Sequence, residues 1–414
     1  MNSSDEKDNK KEIIINKQNK SESVLHNVKS KFILKKIFNH LLKRINLEII
    51  KYNKKLQNIF TFSIKDYKEF HSLFSPIELE ITINENNIGE FINILNEEDK
   101  KYFHIYFNNN NSEEIKRYKL NNKDKVKIIK IIIDYQIKSF NNLFESCTII
   151  KSIHFKKFFR NNIDNMSNMF SKCTQLKKII FSNFNTTNVT DMNTMFSFCF
   201  SLEEINLSNF NTSNVTDMSF MFSQCTSLKE LNLSNFNINN VTNMSYMFSE
   251  CTNLKEVILS NINNDQIKNS LDKKFIKVDM SFMFFNCSSL NKLNLSYTNN
   301  KHLFNMSYMF CHCKSLYELN ISIMNNSNFL INAEQMFNDC SSLEEIDLSN
   351  LDFKYIKNME FMFFACSSLK DINLNNFIFN DKIKISKMLI NCSKSFQKYF
   401  KENYKILNNE AYFY

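Results

Sequence analysis

The sequence predicts an α/β repeat solenoid: a stack of ten helix–strand units of about 26 residues, with a helical and β-rich cap at its amino-terminal end. Three observations predict it. Cysteines fall at 147, 173, 199, 225, 251, 287, 313, 340, 366 and 392, in steps of 26 broken by one of 36 and one of 27. Four residues before each stands methionine, or leucine in the first unit (Leu143, Met169, Met195, Met221, Met247, Met283, Met309, Met336, Met362, Met388), and leucine follows most of them three residues later. Hydrophobic residues make up 43% of the chain and aromatics 14%, enough for a continuous core.

Composition also excludes. Glycine occurs once (Gly89) and proline once (Pro76) in 414 residues, against about 7% glycine in ordinary proteins. Phosphate-binding glycine loops, dinucleotide fingerprints and nucleophile elbows are therefore out. Turns that need a positive φ are expected to use Asn or Asp, at a steric cost.

Residues 1–22 are polar and read as a disordered tail. No apolar leader or membrane-length apolar run is visible, so a cytoplasmic address is expected, where the 11 cysteines are reduced. The charge is +9 overall; residues 1–60 hold 14 Lys/Arg against 6 Asp/Glu. That excess is too dilute and too mixed with acids to predict nucleic-acid binding.

Residues 23–75 read as a helical segment. Within it Ile33/Leu34, Ile37/Phe38, Leu41, Ile45, Ile49 and Leu56 keep a helical period. One role is capping the first repeat, since terminal units of a solenoid need a polar cover. The order Ile37-Phe38-x-x-Leu41, then Leu47, then Asn53-Lys54 also resembles an F-box, with Lys31-Phe32 in place of its usual Leu-Pro and without its closing tryptophan. That resemblance implies docking of residues 30–60 on a cullin-complex adaptor, the repeats then selecting a substrate for ubiquitylation.

Residues 76–138 read as a small β-rich segment: Ile77 to Ile83, Tyr102 to Phe107 and Val126 to Ile133 alternate or run apolar. Its expected job is to cover the open edge of the first repeat strand.

Residues 139–395 hold the repeats. In the clearest unit, NVTDMSFMFSQCTSLKELNLSNFN from Asn214 to Asn237, Val215, Met218, Met221/Phe222 and Cys225 recur at three- to four-residue steps and predict a short helix. Leu228, Leu231 and Leu233 follow in the order L-x-x-L-x-L and predict a strand. Neither apolar stripe is buried within one unit, so stacking must bury both. The stacked cysteines are expected as small core residues. These M-F-x-x-C-x-x-L-x-x-L-x-L-S units resemble leucine-rich repeats of the BspA type. The resemblance implies a leucine-rich-repeat-like stack and a protein-binding habit; surface members of that family are associated with adhesion, which makes a cell-surface adhesin the rival reading. Residues 396–414, rich in Tyr and Phe, read as a carboxy-terminal cap.

Candidate binding residues follow from the strand pattern. Positions flanking the second leucine face outward, giving the columns Glu204, Glu230, Glu256, Glu318, Glu345 and Asn206, Asn232, Asn320, Asp347. An acidic, hydrogen-bonding face of this kind suits a basic segment of a protein partner. The ten-residue insertion, at 261–277, is a second candidate surface. Cys311-His312-Cys313 lacks a further ligand pair at metal spacing. The acidic pairs Glu203-Glu204 and Glu344-Glu345 are expected on opposite faces of their strands, unable to flank one bond. No catalytic, cofactor or metal site is expected, and the reading is a non-enzymatic, monomeric interaction scaffold.

Overall fold

The computed structural model describes residues 30–40, 49–50, 53–60, 64–84, 88–259, 276–295, 301–321, 330–349, 351, 353–374, 382–404 and 411. The disordered-tail reading of 1–22 and nearly all of the 261–277 insertion lie outside them. The chain divides into two compact units, Met1–Ser75 and Pro76–Tyr414.

The first unit is helical. α1 (Lys31–His40), α2 (Lys54–Phe60) and α3 (Ile64–Phe74) are short. Asn53 caps α2 by accepting from the Leu56 N–H at 3.1 Å. Leu34, Phe38, Ile50 and Leu56 form a small core of their own.

The second unit begins as antiparallel sheet and continues as a β-solenoid with a period of about 26 residues and little helix. Its strands in chain order are β1 (Ile77–Ile83), β2 (Gly89–Glu90), β3 (Phe103–Phe107), β4 (Lys119–Leu120), β5 (Ile128–Ile133), β6 (Ile150–Lys157), β7 (Lys178–Phe181), β8 (Glu230–Leu233), β9 (Glu256–Leu259), β10 (Ile276–Asp279), β11 (Lys292–Asn294), β12 (Lys301–Asn305), β13 (Glu318–Asn320), β14 (Glu345–Asp347) and β15 (Asp371–Asn373). The first sheet has the order β3-β5-β1-β6-β7. β1 runs antiparallel along β6, and β7 follows β6 in parallel. The edge of the first repeat strand is thus occupied by β1, whose alternating burial turns Ile77, Leu79, Ile81 and Ile83 into the core.

A parallel ladder then runs along the unit through Ser139, Asn165, Asp191, Asp217, Asn243 and Asp279, and again through Asn305, Asn332, Asn358 and Lys384. At most of these stations a side-chain oxygen accepts from the N–H two residues on. Asp217 takes both the Ser219 N–H at 2.8 Å and the Ser219 hydroxyl at 2.7 Å. Asn and Asp here are turn formers that satisfy their own backbone.

The expected helical half of each unit is not helical. Between Met218 and Cys225 the N–H groups of Met218, Phe220, Phe222 and Gln224 donate to the next turn of the solenoid: to Asn243, Ser245, Met247 and Ser249, at 2.8 to 3.0 Å. A helix would spend those donors internally, four residues back. The intervening donors close tight turns, Met221 to Met218 and Cys225 to Phe222. In each the third residue, Phe220 (φ 56°) or Gln224 (φ 62°), is left-handed, the place glycine ordinarily takes in a type II turn. Two such turns in succession also bring every third or fourth side chain to one side, which is why the segment reads as helical. The expectation that Asn and Asp would carry the positive φ values holds only in part: Phe, Tyr, Gln, Glu, Lys, His and Ala do so as well.

The core is a set of columns. Phe144, Phe170, Phe196, Phe222, Phe248, Phe284, Phe310, Phe337 and Phe363 stack with centroids 5.1 to 5.8 Å apart. Beside them run the buried methionines, cysteines and leucines. The helix α4 (Lys394–Tyr404) packs Phe396 and Phe400 into this core. Its Tyr404 hydroxyl donates to the Ile372 carbonyl at 2.7 Å and accepts from the Leu374 N–H at 3.3 Å, tying it to β15.

Candidate functional site

The strand face carries the predicted binding residues. In β8 the pattern is out-in-out-in: Glu230 and Asn232 are exposed, Leu231 and Leu233 buried. β9 lies parallel to it with Glu230 opposite Glu256 and Asn232 opposite Ile258. Like charges directly opposite on neighbouring strands destabilise a sheet, and among the described residues neither Glu230 nor Glu256 has an ion-pair partner. Further along, the same column neutralises itself: β11 pairs with β13, and Lys292 reaches Glu318 at 2.5 Å. Glu345 stands opposite Asp371.

The strand face is broken between β7 and β8, as it is again between β13 and β14. Residues 203–207 form no strand, although β7 precedes them and β8 follows in the stack. The backbone N–H groups of Glu203, Glu204, Ile205 and Asn206 have no backbone acceptor among the described residues. Two shallow hollows of about 520 and 530 Å³ flank this turn and share Glu204 and Ile205. The first is lined by Lys178, Ile180, Glu204, Ile205, Asn206 and Asn209. The second is lined by Glu203, Glu204, Ile205, Lys229, Glu230, Glu256 and Ile258, among others.

Several placements differ from the sequence reading. Glu203 and Glu204 were expected on opposite faces; both are exposed and line one hollow, as Lys229 and Glu230 do one turn on, because the first residue of each pair precedes the strand position and escapes its alternation. Glu203 and Glu204 pair with Lys177 at 3.4 Å and Lys178 at 3.2 Å. Glu344 and Glu345 are likewise both exposed, and Glu344 meets Lys370 at 2.5 Å. Asn206, Asn232 and Asp347 face outward, but each side-chain oxygen accepts from the N–H of the following serine (Ser208, Ser234, Ser349) at 2.9 to 3.0 Å. They shape the turn after the strand. Asn320 pairs in register with Asn294 on the exposed edge of β13.

The cysteine column has a geometry that spacing alone did not disclose. From Cys173 onward each repeat thiol donates to the carbonyl of the phenylalanine one turn earlier, as Cys225 does to Phe196 at 3.2 Å and Cys392 to Phe363 at 2.9 Å. Burial pushes these thiols upward: Cys251 and Cys392 to about 12, and Cys173, Cys199 and Cys225 well above the usual range. Such thiols are poor nucleophiles. Cys313 belongs to this ladder, while His312 turns outward to Asp339 at 3.0 Å. Among the described residues no three His, Cys, Asp or Glu side chains cluster as metal ligands.

Two features escaped the sequence reading. Phe220, Tyr246, Phe282 and Tyr308 stack on the outer side of the turns at 4.4 to 4.5 Å, and their recurrence two residues after each first methionine was the available signal. Arg160 is fully buried, donating from Nη1 to the Asp134 carbonyl at 2.8 Å; desolvation lowers it to about 10. It stands where the next two units have the buried Thr186 and Thr212, so the repeat pattern hides it.

No curated protein matches this chain. Among solved structures, a crystal structure of a TLR13–ssRNA13 complex is similar at 17% identity and a TM-score of 0.25, over 64% of this chain and 41% of that one. The chain therefore spans about two fifths of that protein's length. Residues 138–263 and 278–403 match the family described as "Mycoplasma protein of unknown function, DUF285". These segments take in the repeats on both sides of the insertion, and the chain belongs to that family.

Proposed function

We propose that the chain is a non-enzymatic protein-interaction scaffold, its ten units forming a leucine-rich-repeat-like stack of the BspA type that binds a protein partner through the strand face. The observation that supports this reading is the Glu204–Glu230–Glu256 column: three carboxylates on successive turns, with a cation at one end only, beside two hollows. Surface charge left unneutralised across neighbouring strands costs stability, a cost that a basic partner would relieve. A monomeric, cytoplasmic protein fits this reading. Among the described residues no helix is long and apolar enough to cross a membrane.

The test is affinity capture with mass spectrometry, comparing the full chain with the triple variant Glu204→Lys, Glu230→Lys, Glu256→Lys. All three side chains are exposed, so the variant keeps the core. Loss of captured proteins supports the proposal; an unchanged list refutes it and moves attention to the 261–277 insertion.

A second reading concerns the first unit. Residues Met1–Ser75 form a compact unit separate from the repeats, with its own core around Phe38 and Leu56. A self-contained helical unit is what an F-box-like docking module requires. Capture of a cullin and its adaptor by the full chain, and not by one lacking residues 23–60, would support that role.

A further inference from the structure

We infer that the first helical unit docks on an anionic lipid bilayer through the outer face of α1. The inference concerns a surface apart from the strand face and does not rest on that reading. Positive charge is concentrated here: residues 30–60 hold seven lysines and one arginine against a single acid, Glu48, so seven of the chain's nine net positive charges fall in this stretch. Within α1, Leu34 and Phe38 turn into the unit's own core. At 3.6 residues per turn Lys36 falls opposite that stripe and Ile33 falls beside Lys36. Lys31, Lys35 and Lys36 are exposed, and Ile33 among them is 51% exposed. Among the described residues Ile33 is the one large apolar side chain that this unit leaves exposed.

A nucleic acid, an acidic protein and an anionic bilayer all attract cations, and the chemistry of the face selects among them. Directed recognition of phosphates or carboxylates favours the planar fork of arginine, and this stretch has one arginine, Arg44, among its eight cations. Single-stranded nucleic acid is held by aromatic rings that stack on its bases, and among the described residues the unit exposes none. A bilayer needs neither device. It takes cations on long flexible stems, whose ammonium groups reach the headgroups while their methylenes lie along apolar surface. It also gives an apolar side chain among those cations a place at the boundary of headgroups and acyl chains. Ile33, set among exposed lysines, meets that requirement.

The probes are vesicles of phosphatidylcholine, with and without one third phosphatidylglycerol. Binding of the purified full chain is read by co-sedimentation at about 0.1 M salt. The chain is expected to sediment with the anionic vesicles and not with the neutral ones, and to be released at about 1 M salt. Each cation near an anionic bilayer is worth about fivefold in affinity, so Lys31→Glu combined with Lys35→Glu should weaken binding more than about twentyfold. Ile33→Ser should weaken it about three- to tenfold, an effect that a purely electrostatic contact lacks. Lys357→Glu combined with Lys384→Glu makes the same change in net charge at exposed positions of the repeats, and should leave binding within about twofold. All five side chains are exposed, so the variants keep both cores. Equal binding to the two kinds of vesicle, binding to neither, equal losses in the two double variants, or an Ile33→Ser chain that binds as before overturns the inference. So does release from the vesicles by single-stranded RNA at a phosphate concentration equal to that of the anionic lipid, which would assign the face to a nucleic acid.

Discussion

Replacing Ala365 by glycine should stabilise the protein, although the same change usually does the opposite. Ala365 has φ 56° and closes the tight turn ahead of Cys366, its N–H donating to the Ile390 carbonyl at 2.9 Å. A left-handed conformation costs a residue with a Cβ about 1–2 kcal/mol. Glycine escapes that cost but loses more backbone freedom on folding, about 0.5–1 kcal/mol relative to alanine. The balance is a gain of about 0.5–1 kcal/mol. Ala333 provides the internal control. It is fully buried, it is outside the left-handed set, and its N–H donates to Asn358 in the ladder. Ala333→Gly pays the entropy and loses a buried methyl worth about 0.8 kcal/mol, for a loss of roughly 1.5 kcal/mol. Urea unfolding at pH 7.5, followed by circular dichroism, should move the midpoint up for Ala365→Gly and down for Ala333→Gly. If both midpoints fall by similar amounts, the left-handed turns are not strained and the argument about the repeat backbone is wrong.

Three other outcomes follow from the same geometry. Phe222→Ala, in a ring stacked between Phe196 at 5.3 Å and Phe248 at 5.8 Å, should cost about 3–5 kcal/mol in urea unfolding, and Phe222→Leu under about 1.5 kcal/mol; equal small losses would deny the ring column its role. The buried thiols make the fold base-labile. Their folded values, about 12 at Cys251 and Cys392, lie above the unfolded value of about 8.5, so their stabilisation is complete below pH 8.5 and is lost as pH rises towards 12. One unit above 8.5 each thiol costs about 1.4 kcal/mol; the urea midpoint should fall between pH 7.5 and 9.5, less steeply in Cys251→Ala, and a flat profile would contradict the column. Arg160→Met, which replaces a fully buried guanidinium by an apolar chain of similar reach, should leave stability unchanged or raise it by about 1 kcal/mol; a loss above about 1 kcal/mol would show that Arg160 has stronger partners than the Asp134 carbonyl.

The repeat was legible because its period is written in side chains that must be buried. Cys225, Met221 and Leu228 recur since each turn has to fill the same cross-section, and that requirement survives any backbone. Which backbone does the filling was not legible. Val215, Met218, Phe222 and Cys225 satisfy a helical period and a double turn equally well, and the deciding fact is where the N–H groups of Met218 and Phe222 go, to Asn243 and Met247 one turn on. Near-absence of glycine pointed to Asn and Asp for the left-handed turns; the structure places Phe220 and Gln224 there as well, with the inter-turn hydrogen bonds holding them. The outward columns at Glu204, Glu230 and Glu256 were readable from L-x-x-L-x-L. The lost pairing of residues 203–207 was not, because SLEEINLSNF there has the same pattern as the paired SLKELNLSNF one unit later.

That broken turn distinguishes the proposed binding face from an ordinary sheet surface, and amide hydrogen exchange tests it directly. In the full chain at neutral pH, the amides of Glu203 to Asn206 should exchange within seconds, while those of Leu231, Leu233, Val257 and Phe222 stay protected for hours. Equal protection from residue 203 to residue 259 would mean a continuous sheet, with no opened surface between Glu204 and Glu256 for a partner to enter.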